Sequence, residues 1–210
     1  MKRYKYPRTA HMSGSRGFTS DDIHISGYSS FEGKEVIITE KMDGESFTFY
    51  EDGYFHARSI DGRVHPSRTH TINALFKLIG LIPDGVRICG ENLYAAHSIK
   101  YTSLPSYFQV YSAWEGETCW DWDRTIALCN DLSLHTVPVL YRGVFSEQEL
   151  RKVISSLDLK SREGVVMRSV DQFTVDQFND NVCKYVRPNH VQTDQHWMSK
   201  QIVKNGLAAQ

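Results

Sequence analysis

Between Lys34 and Ser59 the chain reads KEVIITEKMDGESFTFYEDGYFHARS, and this stretch constrains the fold more than any other. A β-branched run ends in a Met-Asp-Gly turn. The next segment alternates apolar and polar residues around Asp52-Gly53. Period-two alternation broken by Asp-Gly is a hairpin signal, because glycine accepts the left-handed backbone a tight turn needs. Further on, VRICGENLY and SYFQVYSAW read as strands, VPVLYRG as strand-like, and EGVVMRS and NVCKYVR as short late strands. Helices are few. Ile72, Leu75, Phe76 and Ile79 recur at helical spacing, which predicts a helix over 69–80 ahead of the break at Pro83-Asp84-Gly85. Asp121 or Asp123 caps a second, running to about Leu132. Ser146 with Glu149 forms a capping-box pattern ahead of Leu150, Val153, Ile154 and Leu157. Hairpins and isolated helices without regular βαβ alternation imply an α+β fold with mostly antiparallel sheets flanked by helices.

The composition sets the class. Apolar residues make up 40% and charged residues 23%, which suits a packed core rather than a disordered chain. No apolar run reaches bilayer length and no signal-peptide pattern opens the chain, so the expectation is a cytoplasmic protein without a membrane partner. Cys89, Cys119, Cys129 and Cys183 form no Cys-x-x-Cys pair, which argues against a zinc site or a disulfide framework. The net charge of −1 does not advertise a nucleic-acid binder, but its distribution is uneven. Residues 1–20 carry Lys2, Arg3, Lys5, Arg8 and Arg16 and no acid. The other end carries Lys184, Arg187, Lys200 and Lys204 with His190 and His196. Both ends read either as phosphate-binding surface or as solvated basic arms.

The chemical signal is Lys41-Met42-Asp43-Gly44, a Lys-x-Asp-Gly sequence at a strand-to-turn junction. A lysine amine, with an ordinary pKa near ~10.4, becomes a nucleophile only where burial or nearby positive charge removes its proton. Alone, the tetrapeptide reads equally as a surface turn with a solvated lysine. Other segments follow it in order: HARSIDG, then CGENLY with Glu91 at a strand end, YFQVYSAW, REGVVMRS with Glu163 before a strand, and VCKYVRPN. On pattern alone Phe108 also reads as a core residue, Glu163 as a solvated acid and Lys184 as an edge lysine.

Taken together, these segments resemble the covalent nucleotidyltransferase superfamily of DNA ligases, RNA ligases and mRNA capping enzymes. The resemblance runs from Glu40 to Arg187. HPSR and GENLYAAHSIKY are similar to the RNA ligase 2-like branch, in its compact phage and bacterial forms. It implies the nucleotidyltransferase (adenylation) domain of ligases, an ATP-grasp-like arrangement, over residues 1–187 with a basic N-terminal arm. Residues 188–210 are expected to be a short tail without a separate folded domain.

The resemblance also implies roles. Lys41 would attack the α-phosphate of ATP and hold AMP as a phosphoramidate, with Glu40 against the adenine edge. Asp43 would help place magnesium (or manganese) together with Glu91 and Glu163. Arg58 would contact phosphate or the RNA end, and Glu91 the ribose hydroxyl. Phe108 would stack on adenine with Val166 on its other face. Lys184 would hold the α-phosphate. The family's last motif commonly carries Lys-x-Lys, whereas here it reads Lys184-Tyr185-Val186-Arg187, so either Arg187 would supply the second cation from a shifted position or one phosphate contact is missing. His65, His70 and His97, in or near these motifs, read as structural histidines or as RNA contacts, and Trp197 as a packing or base-stacking residue.

The implied activity is ATP-dependent RNA ligation in RNA repair, in a bacterial or phage-infected cell. It would join 5′-phosphate and 3′-hydroxyl ends, in nicked or single-stranded RNA, with a partner protein a possible source of RNA binding. The alternatives are a DNA nick ligase, a capping-type guanylyltransferase and a non-catalytic nucleic-acid-binding module. The first two typically append an oligonucleotide-binding domain, for which the stretch after Arg187 is too short.

Overall fold

A computed structural model of the chain describes residues 2–17, 21–61, 63–188 and 201–209. In chain order the strands begin with β1 (Ala10–His11), β2 (Glu35–Lys41), β3 (Glu45–Tyr50) and β4 (Phe55–His56). Helix α1 (Thr69–Phe76) precedes β5 (Val86–Asn92), β6 (Phe108–Glu115) and β7 (Thr118–Cys119). Then come α2 (Trp122–Asp131), β8 (His135–Thr136), β9 (Val139–Val144) and α3 (Glu147–Ser156). The last are β10 (Gly164–Ser169), β11 (Phe173–Thr174), α4 (Phe178–Asn181) and β12 (Val182–Val186).

The strands form two sheets. One has the order β1-β12-β10-β2-β9. The other runs β11-β7-β6-β5-β3-β4, with β8 beside β6. All pairings are antiparallel except β1 with β12 and β6 with β8. The α+β expectation is met. The chain first passes between the sheets where β2 in the first turns through Met42-Asp43-Gly44 into β3 in the second. Gly44 is required there by contact. A Cβ on it would lie 2.6 Å from the Asn92 carbonyl and 2.8 Å from the Leu93 side chain.

Alternation decides which side chains meet the helices and which meet the other sheet. Val36 and Ile38 of β2, Val165 and Met167 of β10 and Cys183 of β12 pack with Leu150 of α3. Their neighbours Thr39, Lys41, Val166, Arg168, Val182 and Lys184 therefore face the opposite way, into a cleft. In the second sheet Phe47, Phe49, Ile88, Phe108 and Val110 pack with α1 and α2 through Ile72, Leu75, Leu128 and Cys129.

Two local expectations are corrected. Helix α1 stops at Phe76, not at 80. The chain tightens into three-residue turns, with Leu78 donating to Leu75 and Ile79 to Phe76, and reaches Gly80 at φ +82. Ser146 does occupy the residue before α3, but its side chain makes no capping bond. Asp121 does cap α2, accepting from the Arg124 N–H at 2.8 Å.

Candidate active site

The cleft has a volume of about 1260 Å³ and lies between the two sheets. Lys41 ends β2 on its floor. Its Nζ lies 2.7 Å from Glu163 Oε1, and Glu163 is buried directly before β10. Glu91, near the end of β5, and Lys184, in the middle of β12, line the same cleft. The sequence thus brings together Lys41, Glu91, Glu163 and Lys184, spread over four strands or strand ends.

The electrostatics of this group are coupled. Burial pulls the Lys41 ammonium down, but Glu163, Glu91 and Asp43 together outweigh it, and its pKa is raised. Burial pushes Glu91 up to about 8, with Glu163 and Asp43 adding to the push and Lys41 opposing it. Lys184 is lowered, first by burial and then by the positive charge of Lys41. Burial also raises Glu40, which has only Arg162 at 3.5 Å to oppose it. Lys41 is therefore held as an ammonium against Glu163, and the depressed amine is Lys184.

Other expected site residues fall in three groups. Glu40, Val166 and Arg58 line the cleft, Arg58 at its exposed rim. Phe108 does not. Its ring is 3% exposed and sits in the core behind the sheet, edge-on to Phe47. The β6 aromatic that lines the cleft is Tyr111, beside Tyr6 and Trp122, and its hydroxyl lies 2.7 Å from Ser46 Oγ. The pairing of β5 with β6 passes from Cys89↔Ser112 to Gly90↔Val110, so Tyr111 is the extra residue of a β-bulge. Alternation along YFQVYSAW already sets Tyr111, three residues on from Phe108, on the opposite face, and the bulge then returns Ala113 to the core face with Val110.

Asp43 and Arg187 are committed elsewhere. Asp43 Oδ2 accepts from the Ser98 N–H (2.8 Å), the Ser98 hydroxyl (2.8 Å) and the Ile99 N–H (2.6 Å). Among the described residues no three His, Cys, Asp or Glu side chains are gathered to hold a metal, so Asp43, Glu91 and Glu163 do not form a preassembled site. The Arg187 guanidinium donates to the Leu159 carbonyl at 2.6 Å and does not line the cleft. Lys184 is the cation that β12 supplies.

The N-terminal arm is a strap rather than a solvated tail. Lys2 pairs with Glu117, Arg3 makes two bonds to Asp52, and the Tyr6 ring lies edge-on to Tyr111 at 5.1 Å. Lys5 and Arg8 line the cleft, which nothing but charge had flagged. So do His65 and His97, while His70 stacks on Tyr94. Arg68 and Glu45 form a buried ion pair in the cleft wall that the sequence did not single out. Lys204 lies over the Tyr94 and Tyr107 rings. His190, His196, Trp197 and Lys200 lie outside the described residues. No helix among the described residues is long and apolar enough to cross a membrane.

Comparison with known proteins gives the family and the fold. A sequence model of the RNA ligase family matches residues 34–186. No curated protein matches the sequence. Among solved structures, an archaeal ATP-dependent RNA ligase superposes with a TM-score of 0.60 at 20% identity, over 87% of this chain and 48% of that one. A putative ATP-dependent DNA ligase from Aquifex aeolicus gives 0.56 at 18%, over 88% and 50%. A lysine mutant of Naegleria gruberi RNA ligase, solved with ATP and Mn, gives 0.56 at 14%, over 87% and 58%. The chain spans roughly half the length of these structures. The fold is that of ligase nucleotidyltransferase domains, and the chain belongs to the RNA ligase family.

Proposed function

We propose that this chain is the catalytic domain of an ATP-dependent RNA ligase acting in RNA repair in the cytoplasm, with Lys41 as the nucleophile that carries AMP. The observation that carries the reading is the placement of Lys41 Nζ 2.7 Å from buried Glu163 on the floor of a cleft shared with Glu91 and Lys184. In the first step the neutral Lys41 amine attacks the α-phosphorus of ATP. The N–P bond forms, the bond to the β-phosphate oxygen breaks, and pyrophosphate leaves. AMP then passes to a 5′-phosphate at an RNA end, freeing Lys41. Finally a 3′-hydroxyl attacks that activated phosphate and AMP departs. Splitting the reaction makes a poor leaving group into a good one.

The chain's own residues bind, orient and hold charge. Tyr111 on one side and Val166 on the other would bracket the purine, with Glu40 at its edge. Lys184 would meet the α-phosphate, and its pKa is lowered by burial and by the positive charge of Lys41. Glu163 holds the Lys41 ammonium in place, and charge brought to Glu163 by the substrate complex releases it. Glu91 and Glu163 offer the hard oxygen donors a magnesium or manganese ion takes, which fits the donor chemistry of the cleft. That ion would supply neutralisation of phosphate charge. Asp43 instead fixes the turn that carries Lys41. Lys5, Arg8, Arg58 and Arg63 at the rim would meet RNA phosphates, with any further RNA contact left to a partner protein.

The test is incubation with α-labelled ATP and magnesium, followed by denaturing separation. An acid-labile label on the wild-type protein, absent from Lys41→Ala, is expected. No label, or a label that persists in Lys41→Ala, removes the reading. The likeness to the Aquifex protein keeps DNA ends as a second reading, and sealing of RNA-ended against DNA-ended nicks separates them.

A further inference from the structure

Asp43, two residues from Lys41, is held by a loop rather than by solvent, and that loop is itself held from the far end of the sequence. Three donors from Ser98 and Ile99 converge on Asp43 Oδ2, and the Asp43 N–H donates to the Tyr101 hydroxyl at 2.9 Å. The loop between β5 and β6 therefore grips both the backbone and the side chain of the nucleophile turn. It has little regular structure of its own to keep its shape.

Residues 203–208 supply that shape. The Asn205 side chain is 2% exposed and is used at both ends. Its Oδ1 accepts from the Tyr101 N–H at 2.9 Å, and its Nδ2 donates to the Leu93 carbonyl at 2.8 Å and the Ala95 carbonyl at 3.4 Å. Its own N–H donates to the Tyr94 carbonyl, and its carbonyl accepts from the Tyr107 hydroxyl at 2.9 Å. Gly206 closes the contact: its N–H donates to Tyr101 and its carbonyl accepts from Leu104. A Cβ there would lie 2.7 Å from the Thr102 carbonyl. A buried amide with every partner a backbone group or tyrosine of one loop is a specific clamp, because leaving such groups unpaired is costly.

We propose that the segment 203–208 is a brace for the nucleophile turn, and that Asn205 is a positioning residue for Lys41, acting through Tyr101 and Asp43. The path is short: Asn205 to the Tyr101 backbone, the Tyr101 hydroxyl to the Asp43 N–H, and Asp43 to Lys41 along the strand end. Asn205 touches no nucleotide. Its effect is on where the amine points, and small displacements of a nucleophile cost rate rather than affinity. The inference rests on Lys41 being the adenylated residue only for its kinetic consequence.

The test uses the full chain with Asn205→Ala, Asn205→Gln and Tyr101→Phe. Amide hydrogen exchange is measured first. In Asn205→Ala the Asp43, Ser98 and Ile99 amides are expected to exchange about tenfold faster or more, while those of the β2–β10 ladder keep their protection. Adduct formation on Lys41 is measured second, as maximal rate and as half-saturating ATP. The rate should fall roughly ten- to a hundredfold with half-saturation within about twofold of wild type. Tyr101→Phe should give the same split, and the double variant should be no slower than the slower single one. Unchanged exchange at Asp43, Ser98 and Ile99 overturns the brace whether or not the wild type forms an adduct. Uniformly faster exchange in the ladder as well makes Asn205 an ordinary stability residue and also overturns it. A wild type without adduct, but with the expected exchange pattern, leaves the brace standing and removes the nucleophile assignment instead.

Discussion

Two buried ion pairs flank the Met42-Asp43-Gly44 turn, and they are built for opposite ends. Before the turn, Lys41 Nζ meets Glu163 at 2.7 Å, in the company of Glu91 and Lys184. After it, Glu45 meets Arg68 through both carboxylate oxygens, and the same guanidinium also reaches the Arg63 carbonyl. The side chains of Arg68 and Glu45 are 7% and 9% exposed, whereas that of Lys41 is 25% exposed. Arginine cannot be deprotonated in a protein and its fork is satisfied here by fixed partners, so this pair can only hold. Lysine presents one point charge that can be given up. A reactive pair is one in which something is left over: an extra acid, an extra cation, and an opening to the cleft.

Exchanging chemistry for permanence at the first pair is the most severe way to break this contrast. Lys41→Arg should keep an ion partner for Glu163 and unfold close to wild type in urea. Adduct formation should fall by roughly a thousandfold or more, since a guanidinium does not supply a free amine. A Lys41→Arg protein that still takes label from ATP would show that the nucleophile lies elsewhere.

Breaking the second pair should cost stability in its place. Arg68→Ala leaves Glu45 buried without its partner, and such losses run about 3–5 kcal/mol. Arg68→Lys keeps the charge but not the fork, and should recover part of that, leaving a deficit of about 1–3 kcal/mol from the bonds lost. Urea midpoints for both decide it. If Arg68→Ala unfolds like wild type, the pair is ornamental and the comparison fails.

The same division runs through the aromatic strand β6. Phe108→Ala empties a packed position and should lose about 3–5 kcal/mol of stability. Tyr111→Ala should weaken ATP binding by about 1–3 kcal/mol if its ring meets the base, with a smaller change in unfolding. Calorimetric titration with ATP beside urea unfolding tests both. Reversed outcomes would restore Phe108 as the platform and make Tyr111 packing.

What the sequence disclosed follows from the range of the forces involved. Strand and turn positions from Lys34 to His56 were legible because they depend on local alternation and on Asp-Gly and Met-Asp-Gly turns. Lys41, Glu91, Glu163 and Lys184 were legible through ordered motifs, since each sits on or beside a strand whose period sets its face. Of the two readings the strand pattern allows for Phe108, the structure places it in the core, and Tyr111, three positions on, falls on the opposite face by alternation. The surroundings of Arg187 and Asp43 are not legible in the sequence, because their partners, Leu159 and Ser98, are distant along the chain and belong to loops. The arm from Lys2 to Arg8 divides: Lys5 and Arg8 line the cleft, while Lys2 and Arg3 are taken up in ion pairs. Only the fold reveals Glu117 and Asp52 waiting for its first two.

The smallest effect sharpens the first pair without breaking it. Glu91 is pushed up to about 8 from an ordinary 4.5, chiefly by burial. The folded protein therefore holds this proton more tightly than the unfolded chain. The associated stability is complete below about pH 4.5 and is lost as pH rises towards 8, with a slope of at most about 1.4 kcal/mol per pH unit for one proton. Glutamine keeps the shape and cannot ionise, so Glu91→Gln should gain on wild type steadily across that window. A difference in urea stability that stays flat from pH 5 to pH 8, on the order of three units of pH, would contradict the buried acid. The same substitution acts on Lys41. After Glu163, Glu91 is the next of the acids that raise the Lys41 ammonium. Removing it should move the rise of the pH–rate profile for adduct formation to lower pH, because less alkali is then needed to free the amine. Glu45→Gln, a change of the same chemistry on the other side of the turn, should lower stability and leave that pH–rate rise where it was. If both substitutions shift the profile alike, the two pairs are one electrostatic unit, and the distinction between a holding pair and a reacting pair collapses.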